Sequence, residues 1–204
     1  MLRRPIVGVM GGGAADAATC ELARELGRRL AEAGALLLCG GRGGVMTAAA
    51  RGAHEGGGGV IGVLPYTPGE GGPNPFVDCA LYTGLGNGRN YVNACTSDVL
   101  IALRGGPGTL SEIALAWKLG VPVVLLAAWD FLVGQPELGL TPTAHVQSPA
   151  AAVTAALRRI GFAPGAPFDR PLGYPAMPDQ TALREQLLRF LAVRGPGGGT
   201  AGTD

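Results

Sequence analysis

Only one lysine stands among 204 residues, and that scarcity excludes a branch of chemistry. Pyridoxal phosphate enzymes hold their cofactor as a Schiff base on lysine. Lys118 falls at the end of a helical pattern, so amino-acid decarboxylation on that cofactor is ruled out. Histidine is nearly as rare. His54 and His145 lie far apart without ligating neighbours and read as surface helix and loop positions. The four cysteines, Cys20, Cys39, Cys79 and Cys95, form no Cys-x-x-Cys pair. Three lie in or beside apolar segments, so they read as small buried hydrophobes of a reducing compartment, not a zinc site or disulfide frame. No metal site and no resident cofactor are expected.

Charge is sparse too. Charged residues make up 15% of the chain, and 16 basic against 15 acidic residues leave a net charge of +1. A dedicated nucleic-acid binder needs a basic face, so that class is set aside. No apolar run is long enough to span a bilayer. The N-terminal run at residues 6–10, after Arg3 and Arg4, is too short for a secretory signal and dissolves into Gly11-Gly12-Gly13. A cytoplasmic protein without membrane contact is expected. Two nucleotide-binding fingerprints are also missing. Gly11 and Gly13 lack the third glycine of G-x-G-x-x-G, the second strand ends in Cys39-Gly40 with no carboxylate for a ribose, and there is no G-x-x-x-x-G-K-[ST].

What the chain has is 47% hydrophobic residues and 36 glycines clustered at turns. Short apolar runs at residues 6–10, 35–39, 60–64, 78–82, 99–103, 121–127 and 144–147 read as strands. Helical patterns separate them. Asp16 caps the first, whose Leu22, Leu26 and Leu30 share a face and which ends at Gly34; others cover 45–54, 86–95, 110–119 and 151–160. This alternation predicts an α/β, Rossmann-like, doubly wound parallel sheet in three layers. That domain is expected over residues 1–162. Residues 163–204 are read as a Pro/Gly-rich arm, a helix at 183–191 and a frayed tail.

In such sheets ligands lie beyond the carboxyl ends of the strands. Glycine clusters follow the first, second and fifth strands, all at that edge, and three on one rim favour a common pocket. The most informative cluster is Arg104-Gly105-Gly106-Pro107-Gly108-Thr109-Leu110-Ser111-Glu112. Glycines at a strand-to-helix junction leave backbone N–H groups free to converge, and the helix start adds its positive dipole end. Such a turn suits an anion, most often phosphate. Thr109 and Glu112 are also spaced as a capping box, which would close the helix start on itself. Both readings stand on sequence alone.

The segment Gly105-Gly106-Pro107-Gly108-Thr109-Leu110-Ser111-Glu112 resembles the PGGxGTxxE motif of the LOG family, long labelled "lysine decarboxylase-like". Gly40-Gly41-Arg42-Gly43-Gly44-Val45-Met46 resembles that family's upstream GGGxxGLM turn, and Arg89 falls where the family has an arginine. The resemblance covers roughly residues 5 to 160. It implies a Rossmann-like homodimer that hydrolyses a nucleoside 5′-monophosphate to free base and ribose 5-phosphate. Three positions depart from it: Arg104 replaces a proline, Asn90 a lysine of the plant-type enzymes, and Ser111 a frequent second glutamate. Residues 97–120 are closer to a compact bacterial branch that includes proteins similar to molybdenum cofactor carriers, which hold a phosphorylated pterin without turning it over.

N-glycosidic hydrolysis needs a carboxylate near the anomeric carbon and help for the departing base. Glu112 fits the first role, and Arg89 can orient the sugar or polarise the leaving group; equally, Arg89 can be a solvated helix arginine or a plain phosphate clamp. Glycosidases usually pair two carboxylates, and no second acid stands beside Glu112. The expected anion cradle is Gly11, Gly41, Arg42, Gly43, Gly44, Gly105, Gly106, Gly108 and Thr109. Arg42 either reaches a phosphate or is the polar residue of a tight turn. Arg104 either adds a contact that proline cannot make or caps a helix end. Asp98 reads as a turn residue starting a strand. Hydrolysis is the first expectation, with Glu112 and Arg89 catalytic. The alternative is a non-catalytic carrier of the molybdenum cofactor.

Overall fold

A computed structural model describes residues 3–129 and 142–168. Seven parallel strands form one sheet: β1 (Ile6–Met10), β2 (Leu36–Cys39), β3 (Val60–Leu64), β4 (Cys79–Tyr82), β5 (Val99–Ala102), β6 (Val123–Leu126) and β7 (Ala144–Val146). Their spatial order is β4-β3-β2-β1-β5-β6-β7. The helices are α1 (Ala17–Glu32), α2 (Val45–Glu55), α3 (Arg89–Thr96), α4 (Pro107–Lys118) and α5 (Pro149–Arg159), with a 3-10 turn, Gly86–Gly88, leading into α3. The α/β doubly wound architecture is the one the alternating pattern predicts.

Period-two alternation splits the core into two layers. Val7 and Val9 of β1 join Leu26 and Leu30 of α1, Ala49 of α2 and Ala156 of α5 on one face. Ile6 and Met10 join Ala94 of α3 and Ile113 and Ala116 of α4 on the other. All five residues of β1 are buried, as a central strand covered on both faces requires. Helices α1 and α2 meet backbone to backbone. A Cβ on Gly52 would lie 1.8 Å from the Arg24 carbonyl oxygen, so only glycine permits this approach.

The sheet order places the candidate site. From β1 the chain winds outward through β2, β3 and β4, then returns to β5 on the other side of β1. The connections leaving β1 and β5 therefore diverge at neighbouring strand ends, which is the topological switch point where α/β sheets open a crevice.

Several expectations change in detail. Helices α4 and α5 start earlier than predicted because Pro107 and Pro149 occupy their first turns, where proline's fixed φ and missing N–H suit a helix start. Asp98 sits at the bend before β5, as expected, but also does more: it is buried, accepts from both terminal nitrogens of Arg3 at 2.6 Å and from the Ile6 N–H at 2.8 Å. His145 lies in β7 and not in a loop. Cys39 is buried, but Cys79 is exposed on the edge strand β4, and Cys20 and Cys95 are half-buried. Phe168 packs into the core against Phe162. The rest of the expected arm, the helix at 183–191 and the tail lie outside the described residues. Among the described residues no helix is long and apolar enough to cross a membrane, and no cluster of three ligating side chains is placed to hold a metal.

Candidate functional site

Among the described residues five helices begin, and they do not all begin in the same way. Helix α1 is capped by Asp16, which accepts from the Thr19 N–H, and α5 by Ser148, which accepts from Ala151. Helices α2 and α4 start on Gly44 and Gly106 with no side-chain cap, whereas α3 continues from the Gly86–Gly88 turn, where the Leu85 and Gly86 carbonyls take the Gly88 and Arg89 N–H groups. A helix start without a side-chain acceptor leaves backbone N–H groups for something else to satisfy. The capping-box reading of Thr109 and Glu112 is thereby corrected. Helix α4 begins at Pro107, so both residues lie inside it and both are buried.

These starts converge on a cavity of about 210 Å³ at the switch point. Seven expected residues line it: Gly11, Arg42, Arg89, Gly106, Gly108, Thr109 and Glu112. Gly41, Gly43, Gly44 and Gly105 do not; they belong to the turns that shape its wall. At Gly44, φ is +62° and a Cβ would sit 2.4 Å from the Gly12 carbonyl oxygen. The two glycine turns interlock there, helped by the Val45 N–H donating to the same oxygen.

Arg89 is turned inward, not solvated. It is buried, and Nη1 donates to the carbonyls of Gly40 and Val63 at the ends of β2 and β3. Burial pushes its guanidinium below the ordinary arginine range, while the nearby Glu112 charge opposes that shift. Glu112 is 6% exposed. Burial raises its pKa to about 7, against the Asn93 hydrogen bond and the Arg89 charge, so near neutrality the carboxyl exists in both forms. Arg42 is exposed at the mouth. Cys39 is buried nearby, and burial lifts its thiol to about 11, leaving it neutral and a poor nucleophile.

Sequence reasoning missed Asn93. Its Nδ2 donates 2.6 Å to Glu112 Oε1, while its buried Oδ1 has no partner among the described residues. It follows Arg89 by four residues on the same helix face, a spacing that could have flagged it. Asn90 and Ser111, two of the three departures from the family motif, touch each other: Asn90 Nδ2 donates to Ser111 Oγ at 2.7 Å, and Ser111 donates to the Gly108 carbonyl. A neutral contact thus ties α3 to the start of α4.

The profile of the SLOG cluster4 family matches residues 4–153. Among solved structures, the molybdenum cofactor binding protein from Rippkaea orientalis is 41% identical with a TM-score of 0.70; the match covers 76% of this chain and 96% of that one. The Moco carrier protein from Chlamydomonas reinhardtii is 42% identical with a TM-score of 0.66, covering 77% of this chain and 97% of that one. The cytokinin riboside 5′-monophosphate phosphoribohydrolase LOG of Oryza sativa subsp. japonica is 37% identical over 115 residues, which are 52% of this chain and 47% of the rice protein.

Proposed function

This chain belongs to the SLOG cluster4 family, and on that premise we propose that it binds and carries a phosphorylated pterin of the molybdenum cofactor type. The observation that carries the reading is the cavity itself, where helix starts without side-chain caps meet Arg42, Arg89 and a largely buried Glu112. Backbone N–H groups at Gly106, Gly108 and Thr109 supply the phosphate cradle, with the exposed Arg42 as the cation at the mouth. Glu112 faces the organic part of the ligand. Holding a proton near neutrality, it can donate to a ring nitrogen or carbonyl, or accept from a ring N–H.

The sequence pattern put hydrolysis first. The extent of the likeness to the carriers, nearly their whole length against under half of the rice enzyme, favours the reverse order. The Asn90–Ser111 contact points the same way, since the plant-type motif has a lysine and often a second acid at those positions. The hydrolytic reading retains one specific support, the electrostatic coupling of Arg89 with Glu112 in the cavity. Self-association into a homodimer is part of the proposal. The apolar side of α5 is buried in its own core, whereas Leu85, Tyr91 and Leu110 stay exposed on adjoining elements and offer the surface for it.

One experiment separates carrier from enzyme. The protein is titrated with a fluorescent pterin monophosphate and incubated in parallel with a panel of nucleoside 5′-monophosphates. Saturable pterin binding without release of free base is the expected result. Base release that disappears in Glu112→Gln would overturn it in favour of hydrolysis. Sedimentation at micromolar concentration tests the dimer, and a monomer there would remove that part.

A further inference from the structure

The cavity does not end at the phosphate cradle. Gly12, Gly13 and Gly106 also line a second hollow of about 480 Å³, together with Asp16, Thr19, Arg104 and Gly105. Asp16, Thr19 and Arg104 in turn border a third, of about 320 Å³, which reaches Ala127, Ala128 and Gln147 beyond β6 and β7. Shared lining residues set these hollows side by side in a groove along the carboxyl edge of the sheet, from the Glu112 side to the β6 side.

Its chemistry is that of a second subsite. Arg104 is exposed. Its backbone carbonyl accepts from the Gly12 N–H at 3.2 Å, which anchors the residue and fixes where the side chain starts. Asp16 stands across from it. One carboxylate oxygen of Asp16 is engaged by the Thr19 N–H at 2.7 Å, and that hydrogen bonding, helped by the Arg104 charge, holds the acid below its usual range. Asp16 is therefore ionised at neutral pH and has acceptor capacity left for hydroxyl groups. A cation for phosphate beside a carboxylate for a ribose diol is the pairing a nucleotide requires.

We propose that the Asp16–Arg104 groove is a nucleotide subsite, so that the chain takes a dinucleotide form of its pterin ligand. The first phosphate sits on the Gly106–Thr109 cradle, the second, joined through an anhydride, meets Arg104, and the ribose hydroxyls meet Asp16. This rests on the pterin reading and extends it. Gly106 borders both hollows, which puts the two phosphates on either side of one residue.

The test titrates the full chain with two probes, 6-hydroxymethylpterin monophosphate and the same pterin joined through a pyrophosphate to guanosine. The conjugate is expected to bind about tenfold tighter or more, the scale of a charge-assisted hydrogen bond. Arg104→Ala, an exposed change that keeps the backbone contact, should erase that advantage while leaving the monophosphate affinity within about twofold. Equal affinity for the two probes, or an advantage that survives in Arg104→Ala, overturns the subsite and leaves the carrier reading intact. Failure of both probes to bind overturns the carrier reading, and the subsite with it.

Discussion

Glu112→Gln isolates one buried titration. In the unfolded chain a glutamate titrates near its ordinary value of 4.5, and in the folded protein burial raises Glu112 to about 7. Between those values the folded state keeps a proton that the unfolded state has lost, so stability falls as pH rises. The fall begins near pH 4.5 and levels off above pH 7. A gap of about 2.5 pH units at 1.36 kcal/mol each amounts to about 3 kcal/mol. Glutamine keeps the shape and an oxygen for the Asn93 N–H, yet cannot ionise. Relative to wild type, the variant should gain about 2.5 kcal/mol on going from pH 5 to pH 8, or roughly 5–10 °C in Tm. Urea titrations of both proteins at the two pH values measure this, because the other titrating groups cancel in the difference. A wild-type-minus-variant difference that stays constant from pH 5 to pH 8 would refute the buried-proton argument.

Three further outcomes follow from the geometry. Gly106→Ala should leave the melting temperature near wild type, because among the described residues no atom beyond its chain neighbours lies within 4 Å of the added Cβ, yet weaken pterin-phosphate binding tenfold or more by filling the approach to the cradle; unchanged affinity in a titration would remove Gly106 from the site. Gly52→Ala should cost at least about 2 kcal/mol in urea unfolding, since its Cβ would sit 1.8 Å from a backbone oxygen that cannot move without parting α1 from α2. Asp98→Ala should cost about 3 kcal/mol, because it removes the carboxylate bound to Arg3 and the acceptor of the Ile6 N–H, while pterin-phosphate affinity stays the same.

Apolar runs and glycine clusters announce the sheet because both signals are local. A buried parallel strand such as Ile6–Met10 is apolar throughout, and a turn that needs close approach shows its glycines wherever the rest of the chain goes. The strand-helix order then leaves few topologies, and the switch point between β1 and β5 follows with the rim of the cavity. The direction in which a polar side chain turns has no such local signature. Arg89 reads equally as solvated or inward until β2 and β3 bring the Gly40 and Val63 carbonyls to it. Glu112 passes for a capping residue until Pro107 starts the helix three positions before Leu110. Its proton affinity depends on burial under α3 and on Asn93, 19 residues earlier in the chain. Sequence alone determines the scaffold and the glycine-lined edge, because backbone conformation is encoded residue by residue. The charge state of the cavity was decided only by tertiary structure, because desolvation and partner distance come into being when separate helices pack together.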